Sequence, residues 1–156
     1  MKTKRTIFFI HFILLCTFAF AQKNNTDSIV VTTTLKSLLY ICRHIDFADP
    51  KTQDSGLFYK AAPYIIFHGA DKKRAWKDFA RYSNPVEKKG VDAVCTKINE
   101  TVNRDTAYKI VKYFSQKESE GTWHVLLITY KKKGVEKHAA YAFLKIGRRY
   151  GLGDID

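Results

Sequence analysis

The spacing of apolar positions changes character at Ala107, from a helical repeat before it to near-strict alternation after it. Val31, Leu35, Leu38, Leu39, Cys42 and Ile45 recur every three or four residues behind Asp27 and Ser28, whose short polar side chains suit a helix start. The spacing therefore predicts a helix to about Ile45, with Cys42 on its buried stripe. Asp49-Pro50 stops it, and the polar run after it reads as a loop. Tyr64 to Phe67 is short, apolar and closed by Gly69, which predicts one strand. Ala75, Trp76, Phe79 and Ala80 fall on one side of the next segment and charges on the other, the pattern of a short amphipathic helix.

A stronger start signal comes at Asn84-Pro85-Val86-Glu87. Asn84 suits the cap, Pro85 the first helical position, and Glu87 the third residue of a capping box, reaching back to the cap's own amide. Val91, Val94, Cys95, Ile98 and Val102 form the apolar stripe, and Gly90 weakens the helix by about 1 kcal/mol and marks a candidate break. Four strand-like runs come next, 107–116, 121–132, 136–146 and 148–156, divided by turns too short for anything but antiparallel neighbours. Helices first and a meander last is an α+β pattern, with the helices covering one face of the sheet.

Turn geometry extends this to faces. A tight turn at Gly147-Arg148 sets Ile146 opposite Arg149, and hence Phe143 opposite Leu152 and Tyr141 opposite Asp154. The turn at Lys133-Gly134 sets Leu126 opposite Tyr141. One resulting set, Trp123, Val125, Leu127, Ala140, Ala142, Leu144, Gly151, Gly153 and Ile155, is wholly apolar and is expected under the helices. The other holds His124, Leu126, Ile128, Tyr130, Tyr141, Phe143 and Asp154. An apolar wall with few polar groups is how small-molecule pockets are lined, so His124, Leu126, Tyr141, Phe143 and Asp154 are the pocket candidates.

The chain ends of this pattern bear on compartment. Lys2, Lys4 and Arg5 precede an apolar run from Ile7 to Phe20 that closes on Ala19-Phe20-Ala21, the layout of a secretory signal peptide spanning 1–21. The run is shorter than the ~20 residues a membrane-spanning helix needs. Export to the periplasm or the medium is expected, with no membrane span after cleavage, a polar leader at 22–27 and one α+β domain at 28–156. Cleavage takes the formal charge from +12 to +9. That excess favours an anionic surface or polymer as partner, although the charges are spread rather than striped. Trp76, Phe79 and Tyr82 interleave with Lys73, Arg74, Lys77 and Arg81 as in a stacking surface for single strands, but an amphipathic helix explains the same spacing and export argues against nucleic acid.

Cys42 and Cys95 remain after cleavage, either joined in a disulfide or buried as separate thiols. Both lie on apolar stripes, which argues against a reactive thiol. His44, His68, His124 and His138 show no ligand spacing, so neither a metal nor any other cofactor is expected. The closing Gly147-Arg-Arg-Tyr-Gly-Leu-Gly-Asp154 lacks the third glycine and the following helix of a phosphate loop, and reads as a hairpin turn and a strand.

The stretches "APYIIFHGADKKRAWKDFARYSNP" and "FLKIGRRYGLGDID", together with the order of elements, resemble exported bacterial members of the nuclear transport factor 2-like superfamily, with cystatin-like folds nearby. The resemblance implies helices packed on a strongly curved meander, a cone with an interior able to take a small molecule, and a homodimer as one assembly. It implies no single activity, since this architecture carries isomerases, dehydratases and binding modules alike. Three readings are open on these grounds. One is a non-enzymatic binding module with a small concave pocket. The second is an isomerase- or dehydratase-type enzyme using a pocket carboxylate and a tyrosine. The third is a basic module for anionic polymers.

Overall fold

A computed structural model describes residues 26–43, 58–67 and 78–156 of the 156-residue chain. The expected signal peptide, the end of the first helix at Ile45, the loop after Pro50 and the stretch around Trp76 lie outside the described residues. Contacts divide the chain into two units, Met1–Val30 and Val31–Asp156. The described part of the first, 26–30, is helical, and the second holds the sheet and the core.

The protein is α+β. Residues 26–43 form helix α1, already helical at Thr26, so Asp27 and Ser28 sit inside its first described turn rather than ahead of it. Helix α2 runs Pro85–Thr101, and Gly90 does not break it. Strands β1 (Tyr108–Glu118), β2 (Gly121–Lys132), β3 (Val135–Ile146) and β4 (Arg149–Ile155) make an open antiparallel sheet in the order β1-β2-β3-β4. The Asn84 side chain accepts the amides of Val86 at 2.9 Å and Glu87 at 3.4 Å, so the cap is as expected. The return arm differs: Glu87 Oε2 accepts the Arg81 amide at 2.6 Å, three residues further back than a capping box, and thereby ties down the chain entering α2.

Two upstream expectations are corrected. Residues 62–64 form a 3-10 turn, and the anticipated strand narrows to Ile65, bridged in parallel to Leu152, and Ile66, bridged antiparallel to Phe79. Phe79 and Ala80 are thus extended, not helical. The amide of Phe67 donates to Asp78 O and that of Ala80 to Ile65 O, and such pairing with a neighbouring segment overrides the local 3.6-residue period.

The core joins Val31, Leu35, Leu38, Leu39 and Cys42 of α1 to Val91, Cys95 and Ile98 of α2 and to Leu126, Ile128, Tyr141, Phe143, Leu152 and Ile155 of the sheet. Up to Leu152 the sheet faces are therefore the reverse of the expectation, while Ile155, expected under the helices, does lie in the core. The set holding His124 and Tyr141 lies under the helices, and Trp123, Val125, Leu127, Ala140 and Ala142 form the outer face, half-buried. Volume explains the choice: between two helices and a sheet the gap must be filled at crystal-like density, which Leu, Ile, Tyr and Phe do and alanine does not.

Cys42 and Cys95 are joined by a disulfide, with their Cα atoms 4.8 Å apart, linking α1 to α2. Just beyond, at the end of α1, Arg43 donates to the carbonyls of Asn103, Arg104 and Thr106 at 2.7 to 2.8 Å and holds the connection into β1. At the opposite edge, a Cβ added to Gly153 would stand 2.6 Å from the Trp123 ring.

Two stability outcomes are expected. The double substitution Cys42→Ser, Cys95→Ser opens a link across 53 positions, and loop-closure entropy puts its cost at about 4 kcal/mol, read from the shift in a urea midpoint. Gly153→Ala is expected to cost about 1–3 kcal/mol through overpacking against Trp123, in the same assay, and an unchanged midpoint would contradict the close approach.

Candidate functional site

The hairpin turn and the β2–β3 register place most residues as expected: Ile146 opposes Arg149, Phe143 opposes Leu152 and Leu126 opposes Tyr141. A bulge at Gly153 then shifts β4 by one residue. Tyr141 faces Ile155 and Asp154 faces Ala142, so the anticipated Tyr141–Asp154 pair does not form. Past the bulge Ile155 turns into the core and Asp154 out to solvent.

His124, Leu126, Tyr141 and Phe143 are buried, each no more than 2 % exposed, and the side chains of α1 and α2 fill the space over them. His124 Nδ1 shares a 2.8 Å hydrogen bond with the Tyr113 hydroxyl, and the imidazole stands edge-on to Tyr150 at 5.0 Å. The Tyr141 hydroxyl is buried and finds no hydrogen-bond partner among the described residues. Burial, followed by the neighbouring Tyr130 and Tyr108 phenols, pushes its pKa well above the usual tyrosine value, so it stays a neutral phenol.

The concavity lies elsewhere, along the seam between α2 and the β4 edge. It is a half-open groove of about 410 Å³. One wall is the α2 face of Val86, Gly90, Val94 and Lys97, whose spacing puts them on adjacent turns over roughly 16 Å. The other is Leu152 to Ile155, and the floor comes from Ile65, Ile66, Phe67 and Ala80. Of the five pocket candidates only Asp154 lines it.

The bulge explains the groove's chemistry. Among the described residues the Ile65 bridge uses the β4 edge at Leu152, whose carbonyl accepts the Ile66 amide at 2.8 Å. Ile155, further along the same edge, has its amide taken by Asp154 Oδ1 at 2.8 Å and its carbonyl by Lys97 Nζ. Two charged side chains thus satisfy an open strand edge that would otherwise invite another strand. Lys97 is exposed at the groove mouth and forms no ion pair among the described residues. Its alkyl stem lies along the apolar wall while the ammonium stays at the rim. At the far end the Glu87 carboxylate is buried and held by the Arg81 amide.

Gly90 contributes by what it lacks. Nothing stands within 4 Å of where its Cβ would be, so the helix opens into the groove there. Helical spacing of Val86, Gly90, Val94 and Lys97 beside the core stripe of Val91, Cys95 and Ile98 was a readable sign that the apolar face of α2 is wider than one contact needs. Elsewhere, Tyr82 and Asp92 meet at 3.4 Å, with burial raising the Asp92 carboxyl above its ordinary value while Lys88 draws it back. Of the aromatic and basic residues weighed as a stacking surface, Lys73, Arg74, Trp76 and Lys77 lie outside the described residues, while Arg149 stacks over Phe79 at 4.0 Å and Lys88 over Tyr82 at 5.3 Å. Among the described residues no three His, Cys, Asp or Glu side chains gather where they could hold a metal.

Removing the orphaned hydroxyl by Tyr141→Phe is expected to stabilise the fold by about 1 kcal/mol, since a buried unpaired hydroxyl carries a desolvation cost. A loss of stability in thermal or urea unfolding would show that the hydroxyl has a partner.

No helix among the described residues is long and apolar enough to cross a membrane. Compared with family models, curated proteins and solved structures, the chain shows no match.

Proposed function

We propose that this protein is an exported, non-enzymatic binding module of the nuclear transport factor 2-like kind, and that its ligand is an elongated apolar molecule with an anionic head. The carrying observation is the groove itself: apolar walls along α2, an unfilled position at Gly90, and one ammonium at the rim, Lys97, that has no carboxylate partner among the described residues. An apolar tail gains from leaving water along such walls, and a carboxylate head gains from the Lys97 charge at the mouth. The apolar run and Ala-x-Ala site at the start of the chain support export. The order of helices and meander supports the superfamily. The isomerase reading has less behind it: Tyr141 is sealed in the core, and the phenol–carboxylate contact of Tyr82 and Asp92 lies away from the groove lining.

Titration calorimetry with dodecanoate and dodecanol tests the reading. Dodecanoate is expected to bind up to about fivefold more tightly, the value of one partly screened charge contact, and Lys97→Gln is expected to remove that preference while leaving the alcohol's affinity unchanged. A Cβ at position 90 would meet nothing within 4 Å, so Gly90→Leu is expected to extend into the groove, and leucine suits a helix better than glycine. It is expected to abolish binding of both probes without loss of stability. Binding that survives Gly90→Leu would place the ligand elsewhere, and an absence of binding by either probe would overturn the assignment.

A further inference from the structure

Two opposite charges meet at the mouth of the α2 groove. Ile155 lies in a strand, where the N–H and C=O of one residue point to the same side. Asp154 accepts that amide through Oδ1 at 2.8 Å, and the Lys97 ammonium donates to that carbonyl. The carboxylate and the ammonium are therefore anchored on the same residue, both lining the groove and both exposed. No ion pair joins them among the described residues. Each keeps bonding capacity, for Asp154 Oδ2 has no partner among the described residues and an ammonium with three donors has used one. Glu87, the other charged residue of the lining, stands nearly three turns earlier on α2, roughly 15 Å along its axis, and belongs to the far end.

We propose, on the reading that this groove takes an amphiphile, that the head of the ligand is zwitterionic: a carboxylate with a primary ammonium on the adjacent carbon. A head that is only anionic is drawn by Lys97 and repelled by Asp154, so part of the attraction is lost. A head that also carries an ammonium meets a partner on each side, its carboxylate on Lys97 and its ammonium on Asp154 Oδ2. Each of the four charges then has an opposite charge beside it, and the backbone contacts to Ile155 stay in place. Because both protein groups are fixed to the amide and carbonyl of one residue, the two ligand charges must also be close together. That favours an ammonium on the carbon next to the carboxylate over one at the end of a longer head such as phosphoethanolamine. Asp154 thereby does more than protect the strand edge: it sets which head group the mouth prefers.

Titration calorimetry with dodecanoate, α-aminododecanoate and α-hydroxydodecanoate is the test, and on the parent chain it needs no variant. The amino acid is expected to bind up to about fivefold more tightly than dodecanoate, the value of one partly screened charge contact. The hydroxy acid, similar in size but without the ammonium, is expected to stay within about twofold of dodecanoate, since it adds no charge contact. Asp154→Asn keeps an oxygen for the Ile155 amide and removes the charge. It is expected to bring the amino acid and dodecanoate to within about twofold of each other, because the added contact is then gone. If dodecanoate binds and its amino derivative binds no more tightly, the zwitterionic head is overturned while the groove stands as the site. If none of the chains binds, the groove assignment falls with it. A gain that survives Asp154→Asn overturns the role given to Asp154. So does a preference for lysophosphatidylethanolamine over lysophosphatidylglycerol without any gain for the amino acid, which would point to the longer head.

Discussion

The space between the four-stranded sheet and the two helices sets the rest of the structure. Once the disulfide ties α1 to α2, the layer beneath them must be filled by side chains large enough to reach both. Leu126, Ile128, Tyr141 and Phe143 do so, and because strand side chains alternate, that choice sends Val125, Leu127, Ala140 and Ala142 to the other face. Filling outweighs polarity here. One nitrogen of the buried imidazole is met by the Tyr113 hydroxyl, whereas alanines under two helices would leave voids.

A single extra residue then separates interior from site. The bulge at Gly153 lets Ile155 enter the core that Tyr141 occupies and turns Asp154 outward to satisfy the strand edge. Beyond Leu152 the edge has no neighbouring strand among the described residues, and α2 stands alongside it instead, leaving a groove where Gly90 offers no side chain. The same glycine that makes the bulge admits the Trp123 ring on the outer face. The entry of Ile155 into the core and the edge protection by Asp154 are therefore consequences of one local irregularity.

Much of the architecture was legible along the chain. Strand limits at β1 to β4 and the Asn84 cap arise from alternation and from local hydrogen-bonding chemistry, both of which act over a few residues. The upstream segments were not legible in the same way. Phe79 fits an amphipathic helix by spacing, yet it is extended because Ile66 lies beside it and because its ring covers Gly151, contacts with partners far away in sequence. Glu87 was read with a partner three residues away and holds one six residues away, since the chain before the cap folds back on it.

Period, turn length and capping were enough to specify the α+β order, the strand pairing and the partition of the sheet into two sets of side chains as far as Leu152, and the placement of both cysteines on apolar stripes. All of these are properties of neighbouring residues. Which set the helices would cover, where β4 would slip, and that Lys97 and Gly90 rather than Tyr141 would border a concavity were settled only when the elements packed together. Those outcomes depend on volumes summed over several elements, and no stretch of chain carries that sum.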